Sequence, residues 1–311
     1  MSTEPTRGIL VGIDGSAGSE AALRWAYRTA QVERRPVTAL LGWTADGLPR
    51  PVYQAAAAAE HGALAAAAAQ MLDRTIARVP APRPAVELRR LVVDQDPVDA
   101  LVAEAKNAAM TVVGARGPGL AHRILAGSVA HRLLHRSSGP VVVVRGTADE
   151  AGHADEAGHA DEAGPVDETA PQDRRPVVVG VDGSEPSQAA VRWAAAQAAE
   201  RGAPLHLVYG YRVDITSFGV SADEFYPSLR TDAERLLADV ATADLDDEAD
   251  LEVRQLAVDD TPARALLRAS AEAQLLAVGT RGRGGFAELV LGSTAHQCAL
   301  HADCPVAVLH G

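Results

Sequence analysis

Short, unbroken apolar runs recur along the chain, and after each one the apolar positions return every three or four residues. GILVGID and PVVVGVD, which end at Asp14 and Asp182, are continuous rather than alternating. That is the pattern of a strand covered on both faces within a parallel sheet. The segments that follow, Glu20 to Val32 and Gln188 to Arg201, have helical periodicity, and Ser16 and Ser184 stand where N-caps belong. VTALLGW and PLHLVYGY predict second strands, with a long, alanine-rich helical region after the first of them; VELRRLVV and LEVRQLAV predict third strands. The next helices open on Pro97 and Pro262, where a missing N–H costs nothing. A fourth run, MTVVG or LLAVG, leads into a glycine-rich loop, a further helix starts at Gly127-Ser128 or Gly292-Ser293, and PVVVV or PVAVL closes the pattern. Strand alternating with helix, five strands over and twice in succession, predicts an α/β protein. It has two tandem open five-stranded parallel-sheet domains with helices on both faces.

The two halves are copies. RGILVGIDGSAGSEAALRWA is echoed by RPVVVGVDGSEPSQAAVRWA, which aligns Asp14 with Asp182 at a displacement of 168 residues; Asp94 aligns with Asp259, and Gly114 with Gly279, at 165. Between the copies lies ADEAGHADEAGHADEAG, Ala148 to Gly164, with no large apolar residue and many acids. Such a segment cannot offset the entropy of ordering its chain. The expected organisation is therefore a first domain over 1–146, an acidic flexible linker over 147–174 and a second domain over 175–311. His153 and His159 in the linker could bind metal weakly, but a solvated tether is the simpler reading.

Composition removes several classes of function. A net charge of −12 and a pI near 5.3 argue against nucleic acid as a partner. No apolar run approaches the ~20 residues of a membrane span, and MSTEPTRGIL lacks the basic-then-apolar pattern of a secretory signal. A cytoplasmic protein, not integral to a membrane, is expected. The two cysteines, Cys298 and Cys304, build no disulfide framework and read as buried thiols.

Chemistry is concentrated in one repeated stretch. GARGPGLAHRILAGS runs from Gly114 to Ser128 and GTRGRGGFAELVLGS from Gly279 to Ser293, each reading Gly-x-x-Gly, nine residues, Gly-Ser. Where a strand gives way to a helix, unpaired N–H groups and the helix dipole favour an anion, and glycine lets the backbone approach it. Gly127 and Ser128, then Val129, fit that role in the first copy; Gly292 and Ser293, then Thr294, repeat it. Gly114 with Gly117, and Gly279 with Gly282, fall at the carboxyl end of the fourth strand, where open sheets bind ligands. Asp14 and Asp182 occupy the neighbouring lip, where a carboxylate can accept hydrogen bonds from a ribose or base. The competing explanation is ordinary turns, with Asp14 serving only a helix start. There is no G-x-x-x-x-G-K-[ST] and no G-x-G-x-x-G register, which sets aside P-loop and dinucleotide folds.

VGIDGS with its helix, the alternating α/β pattern, and G-x-x-G-x9-G-[ST] before a terminal P-V-x-V-V strand together resemble the universal stress protein family. The resemblance implies an adenine nucleotide α-hydrolase-like sheet and binding of ATP, with or without Mg, at one site per domain. By that resemblance Gly12, Asp14, Gly180 and Asp182 would line the adenosine part, and Gly42 and Gly210 would read adenine through their backbones. The glycine loop would pass ribose and phosphates, and Gly127-Ser128 and Gly292-Ser293 would hold the phosphate chain. Arg116 and Arg281 are shared cations of the loop. Arg283 faces Pro118 in the alignment, so the second copy gains a phosphate fork where the first loses a donor. The resemblance also implies pairing of the two domains through their terminal strands as an intramolecular pseudo-dimer, with a further homodimer as an extension.

Trp25 and Trp193 read as matched core anchors, and His131 and His296 as matched helix-surface residues. Three functions stay open: a nucleotide-dependent regulator in stress or dormancy adaptation with an unidentified protein partner; a slow ATPase or phosphotransferase; and a scaffold with vestigial sites. The first is favoured because fast phosphoryl transfer needs a positioned base and a stronger cationic clamp.

Overall fold

The computed structural model describes residues 7–44, 61–82, 84–115, 128–145, 173–212, 222–245, 250–282 and 291–311. The chain divides into two compact units, Met1–Gly146 and Thr147–Gly311. The repeated linker motif, with His153 and His159, lies outside the described residues, as do Arg116, Gly117, Gly127 and Arg283.

The first unit contains β1 (Ile9–Gly12), α1 (Ala17–Glu33), β2 (Val37–Trp43), α2 (His61–Arg78), β3 (Leu88–Asp94), α3 (Pro97–Ala105), β4 (Met110–Gly114), α4 (Ser128–Arg136) and β5 (Val141–Val144). All its strand pairs are parallel, in the order β3-β2-β1-β4-β5. The second unit repeats this with β6 (Val177–Gly180), α5 (Glu185–Arg201), β7 (Leu205–Gly210), α6 (Ala222–Asp244), β8 (Val253–Val258), α7 (Pro262–Ala269), β9 (Leu275–Gly279), α8 (Ser293–His301) and β10 (Val306–Leu309). Its order is the same in its own numbering, β8-β7-β6-β9-β10.

The apolar runs become strands because both faces are covered. Val177, Val178 and Val179 are fully buried, as are Ile9 and Val11. In the first unit α1 packs with α2 and α3 with α4, and right-handed crossovers set these pairs on opposite faces of the sheet. The third strands differ: β3 and β8 have only half-buried and exposed positions, as suits the outer strand of each order. Helix boundaries follow local chemistry. Ser16 caps α1 by accepting from the N–H of Ser19 at 3.2 Å, and Ser184 caps α5 by accepting from Ser187 at 3.4 Å. Pro97 and Pro262 each open a helix, as their position predicts. Trp25 and Trp193 are half-buried rather than core anchors, because the small residues Ala22, Ala26, Ala190 and Ala194 fill the inward stripe of their helices.

The strand order fixes where a ligand can enter. From β1 the chain winds outward through β2 and β3, then crosses back to β4 on the other side of β1. In open sheets of this kind ligands bind in a crevice at such a reversal, between the segments that leave the carboxyl ends of the two strands, here β1 and β4. The second unit has the same reversal between β6 and β9.

Candidate functional site

The site is assembled from the two chain segments that leave these strand ends. Asp14 and Asp182 each follow the first strand of their unit by two residues and are half-buried. Each carboxylate organises the turn ahead of it. The N–H of Ser16 donates to Asp14 Oδ1 at 3.0 Å and its hydroxyl to the same oxygen at 2.6 Å; in the second unit the Ser184 bonds to Asp182 Oδ1 are 2.9 and 2.6 Å. The intervening residues, Gly15 at φ 81° and Gly183 at φ 76°, adopt the left-handed backbone that glycine alone enters freely. Ser187 adds a bond from its hydroxyl to the carbonyl of Gly180 at 3.4 Å and accepts from the N–H of Asp182 at 3.0 Å. The sequence contained this signal as the tripeptide Asp-Gly-Ser in both copies, although Gly15, Gly183 and Ser187 were not singled out as site residues.

The second unit shows how the glycine loop meets this turn. A Cβ built at Gly282 would run into Oδ2 of Asp182, so the loop backbone lies directly against the second carboxylate oxygen. The hydroxyl of Ser184 also reaches the carbonyl of Arg281 at 3.3 Å. The far end of the motif folds back onto the same place: the N–H of Gly292 donates to the carbonyl of Thr280 at 2.6 Å, and a Cβ at Gly292 would stand 3.2 Å from that oxygen. Thr280 is itself held by its N–H on Leu309 at 2.8 Å. Asp182, Gly282 and Gly292 thus form one continuous lip at the carboxyl ends of β6 and β9.

Gly292 is the N-cap of α8 and carries no side chain to accept from the first turn. By contrast α1, α3 and α5 begin with Ser16, Asp96 and Ser184, whose side chains accept from their own first turns. The N–H groups of Ser293 and Thr294, at the positive end of the helix dipole, therefore receive no capping oxygen from the N-cap residue itself. Ser293 is exposed, Thr294 half-buried, and Arg281 exposed beside them. In the first unit Ser128 and Val129, at the start of α4, are exposed and half-buried respectively.

The remaining glycines have a packing reason of their own, identical in both units. A Cβ at Gly114 would come 2.5 Å from the backbone of Gly18 in α1, and one at Gly279 would come 2.8 Å from the backbone of Pro186 in α5. Gly42 abuts the Cα of Pro97 at 2.7 Å and Gly210 that of Pro262 at 2.8 Å by the same construction. Gly12 faces Leu101 and Val113, and Gly180 faces Leu266 and Val278. These glycines bring helices α1, α5, α3 and α7 close to the strands and so set the width of the crevice.

Charged pairs gather where the third strand of the first unit gives way to α3. Burial works to raise the pKa of Asp96, but the Arg132 guanidinium and the N–H groups of Asp99 and Val98 outweigh it and hold the carboxyl below its ordinary value. Cys298 and Cys304 are buried, and burial pushes their thiols up from 9.0 to about 12 and about 11. Among the described residues no group of three or more His, Cys, Asp or Glu side chains converges as a metal cluster, and no helix is long and apolar enough to cross a membrane.

Comparison with known proteins agrees with this architecture. The model of the universal stress protein family matches residues 5–145 and 173–310. A universal stress protein of Mycolicibacterium smegmatis is 32% identical over 306 residues, spanning 97% of this chain and 96% of that protein. One of Mycobacterium tuberculosis is 30% identical over 311 residues, spanning 97% and 95%. Among solved structures, a universal stress protein from Archaeoglobus fulgidus matches with a TM-score of 0.61 at 20% identity, over 97% of this chain and 98% of that one, a likeness of fold.

Proposed function

The chain belongs to the universal stress protein family, and on that premise we propose that each of its two units binds ATP, with or without Mg, as a nucleotide-dependent regulator of stress or dormancy adaptation in the cytoplasm. The observation that carries this reading is the closure of Asp182, Gly282 and Gly292 into one lip at the strand reversal of the second unit. In it a carboxylate oxygen suited to ribose hydroxyls sits against a side-chain-free backbone, and a helix N-terminus whose N-cap has no side chain is bonded back to the same strand end through Thr280.

The roles divide by chemistry. Asp182, and Asp14 in the first unit, accept from the sugar. Ser293, Thr294, Ser128 and Val129 offer backbone N–H groups to phosphate oxygens, and the two serine hydroxyls add a donor each. Arg281 supplies a guanidinium that can fork to phosphate. Gly12, Gly42, Gly114, Gly180, Gly210 and Gly279 act by keeping the walls close. Arg116, Gly117 and Gly127, which lie outside the described residues, complete the first loop by sequence equivalence with Arg281, Gly282 and Gly292, and Arg283, also outside them, adds a cation to the second loop alone. The output is binding rather than turnover: the occupied and empty forms would present different surfaces to a regulatory protein partner.

The test is direct. Purified protein is heat-denatured and the supernatant chromatographed for adenine nucleotides, and ATP is titrated calorimetrically into the wild type and an Asp14→Ala/Asp182→Ala variant. The expected result is two sites in the wild type and none in the variant, with a stabilisation of ~2–3 kcal/mol near 100 Kd. Equal binding by both proteins would refute the assignment of the carboxylates. Phosphate release assayed on the same preparation separates a regulator from a slow ATPase.

A further inference from the structure

We propose that His131 and His135 form a two-imidazole chelate for one divalent first-row transition metal ion, of the copper(II) or zinc(II) type, in the first unit alone. The two residues lie one turn apart on α4, where side chains at i and i+4 stand above one another on one face. Their Nε2 atoms are 3.3 Å apart and their ring centroids 4.5 Å, so the rings converge by their Nε2 edges. Two nitrogens held ~2.0–2.1 Å from one ion, and subtending ~90–110° at it, stand ~2.9–3.4 Å apart. The observed separation falls within that span, so ring rotation alone, with the helix fixed, can bring both nitrogens onto one ion.

The protonation balance is simple. In the hydrogen-bonded pair one Nε2 carries the proton and the other accepts it. On chelation that proton relocates to Nδ1 of the same ring, each Nε2 displaces one water from the hydrated ion, and no net proton is released once both imidazoles are neutral. Local charge permits a dication. Arg132 stands 3.2 Å from Asp96 and Arg136 pairs with Asp99, so the two flanking guanidiniums are balanced by two carboxylates. Both histidines are half-buried beside the inward residues Ala130, Leu133 and Leu134, which fixes the ring stems while leaving an approach from solvent. Imidazole pairs suit copper, zinc and nickel, and copper(II) heads the affinity order. The position matched to His135 in the second copy is Leu300, so α8 carries leucine one turn on from His296.

Copper(II) is titrated into the full-length wild type, His135→Leu and His131→Leu, followed by electron paramagnetic resonance and thermal unfolding. Leucine at 135 repeats what the second copy carries on the same helix, and circular dichroism checks that both variants fold. The wild type should show a two-nitrogen copper signal and take up one more ion per chain than either variant, whose affinity at this site falls by about tenfold or more. Copper should raise the thermal midpoint of the wild type more than that of the variants. Identical uptake and identical nitrogen coupling in all three proteins would overturn the proposal; that outcome would include copper held by His153 and His159, which all three retain.

Discussion

Gly282 lies against Oδ2 of Asp182 so closely that a methyl group at 282 and the carboxylate as it stands cannot both be present. The carboxylate cannot turn aside cheaply, because its other oxygen accepts from both the N–H and the hydroxyl of Ser184. Gly282→Ala should therefore displace Asp182, cost ~1–2 kcal/mol in unfolding of the second unit, and remove the nucleotide proposed there. The double variant Gly282→Ala/Asp182→Ala should be less destabilised than the two single losses added together, with a coupling of ~1 kcal/mol. Strict additivity in the denaturant melts would mean that the glycine serves something other than the carboxylate.

A different outcome is expected at the fourth-strand glycines. At Gly114 and Gly279 the added methyl meets backbone of α1 or α5, which no side-chain rotation relieves. Gly114→Ala and Gly279→Ala should each lower the stability of their own unit by ~1–3 kcal/mol, the usual cost of overpacking. Added nucleotide should still raise the variant midpoint, since the methyl meets helix backbone. A variant with unchanged stability and lost binding would reassign these residues to ligand contact.

Much of this was legible in the sequence, and the reasons are physical. Continuous apolar runs gave the strands that are buried on both faces, and the duplication made each reading, including that of the more polar third strands, a check on its copy. Ser16, Ser184, Pro97 and Pro262 marked helix starts through local chemistry that does not depend on the fold. What escaped was anything that depends on which segments approach one another. The motif places Gly114 at a strand end but says nothing of its close approach to Gly18 of α1, ninety-six positions away. The contact of Gly282 with Asp182 is a hundred positions long and follows only from the strand order. Trp25 misled because bulk alone suggests burial, while alanines had already filled the helix face.

Matched positions that differ between the copies give internal controls. Asp96 caps α3 by accepting from the N–H groups of Val98 and Asp99, at 2.9 and 3.3 Å, while the equivalent Thr261 makes no side-chain cap bond to α7. Asp96→Ala should cost ~1 kcal/mol, and Thr261→Ala only a few tenths. Similar losses in thermal unfolding of the two variants would show that the cap bond contributes nothing measurable.

A second matched pair concerns the end of the first helix. Arg34 is the left-handed C-cap of α1 at φ 51°, whereas Gly202 holds the same place after α5 at φ 60°. A side chain in that backbone region costs ~1–2 kcal/mol, part of which glycine gives back through its freer unfolded chain. Arg34→Gly should stabilise the first unit by about 0.5–1 kcal/mol. Destabilisation on that substitution would mean that the arginine side chain contributes more than its backbone strain.

The two thiols make a prediction about pH in the second unit alone. Burial, with a smaller contribution from Cys304, raises Cys298 to about 12; burial, aided by Asp303 and opposed by Ser270 and Arg175, raises Cys304 to about 11. In the unfolded chain both return to the ordinary value of 9.0. Below that value both states keep their protons and the stabilisation from burying neutral thiols is complete. Above it the unfolded state releases protons that the folded state retains, so stability falls as pH rises and the contribution is lost through about 11 and about 12. Cys298→Ala/Cys304→Ala should flatten that alkaline decline while leaving the acid limb unchanged. The native thiols should also resist alkylation at pH 8 and react once denaturant is added, since neither presents a thiolate. Rapid alkylation of the folded protein, or an unchanged alkaline slope in the double variant, would show that these sulfurs are not sealed in the second core.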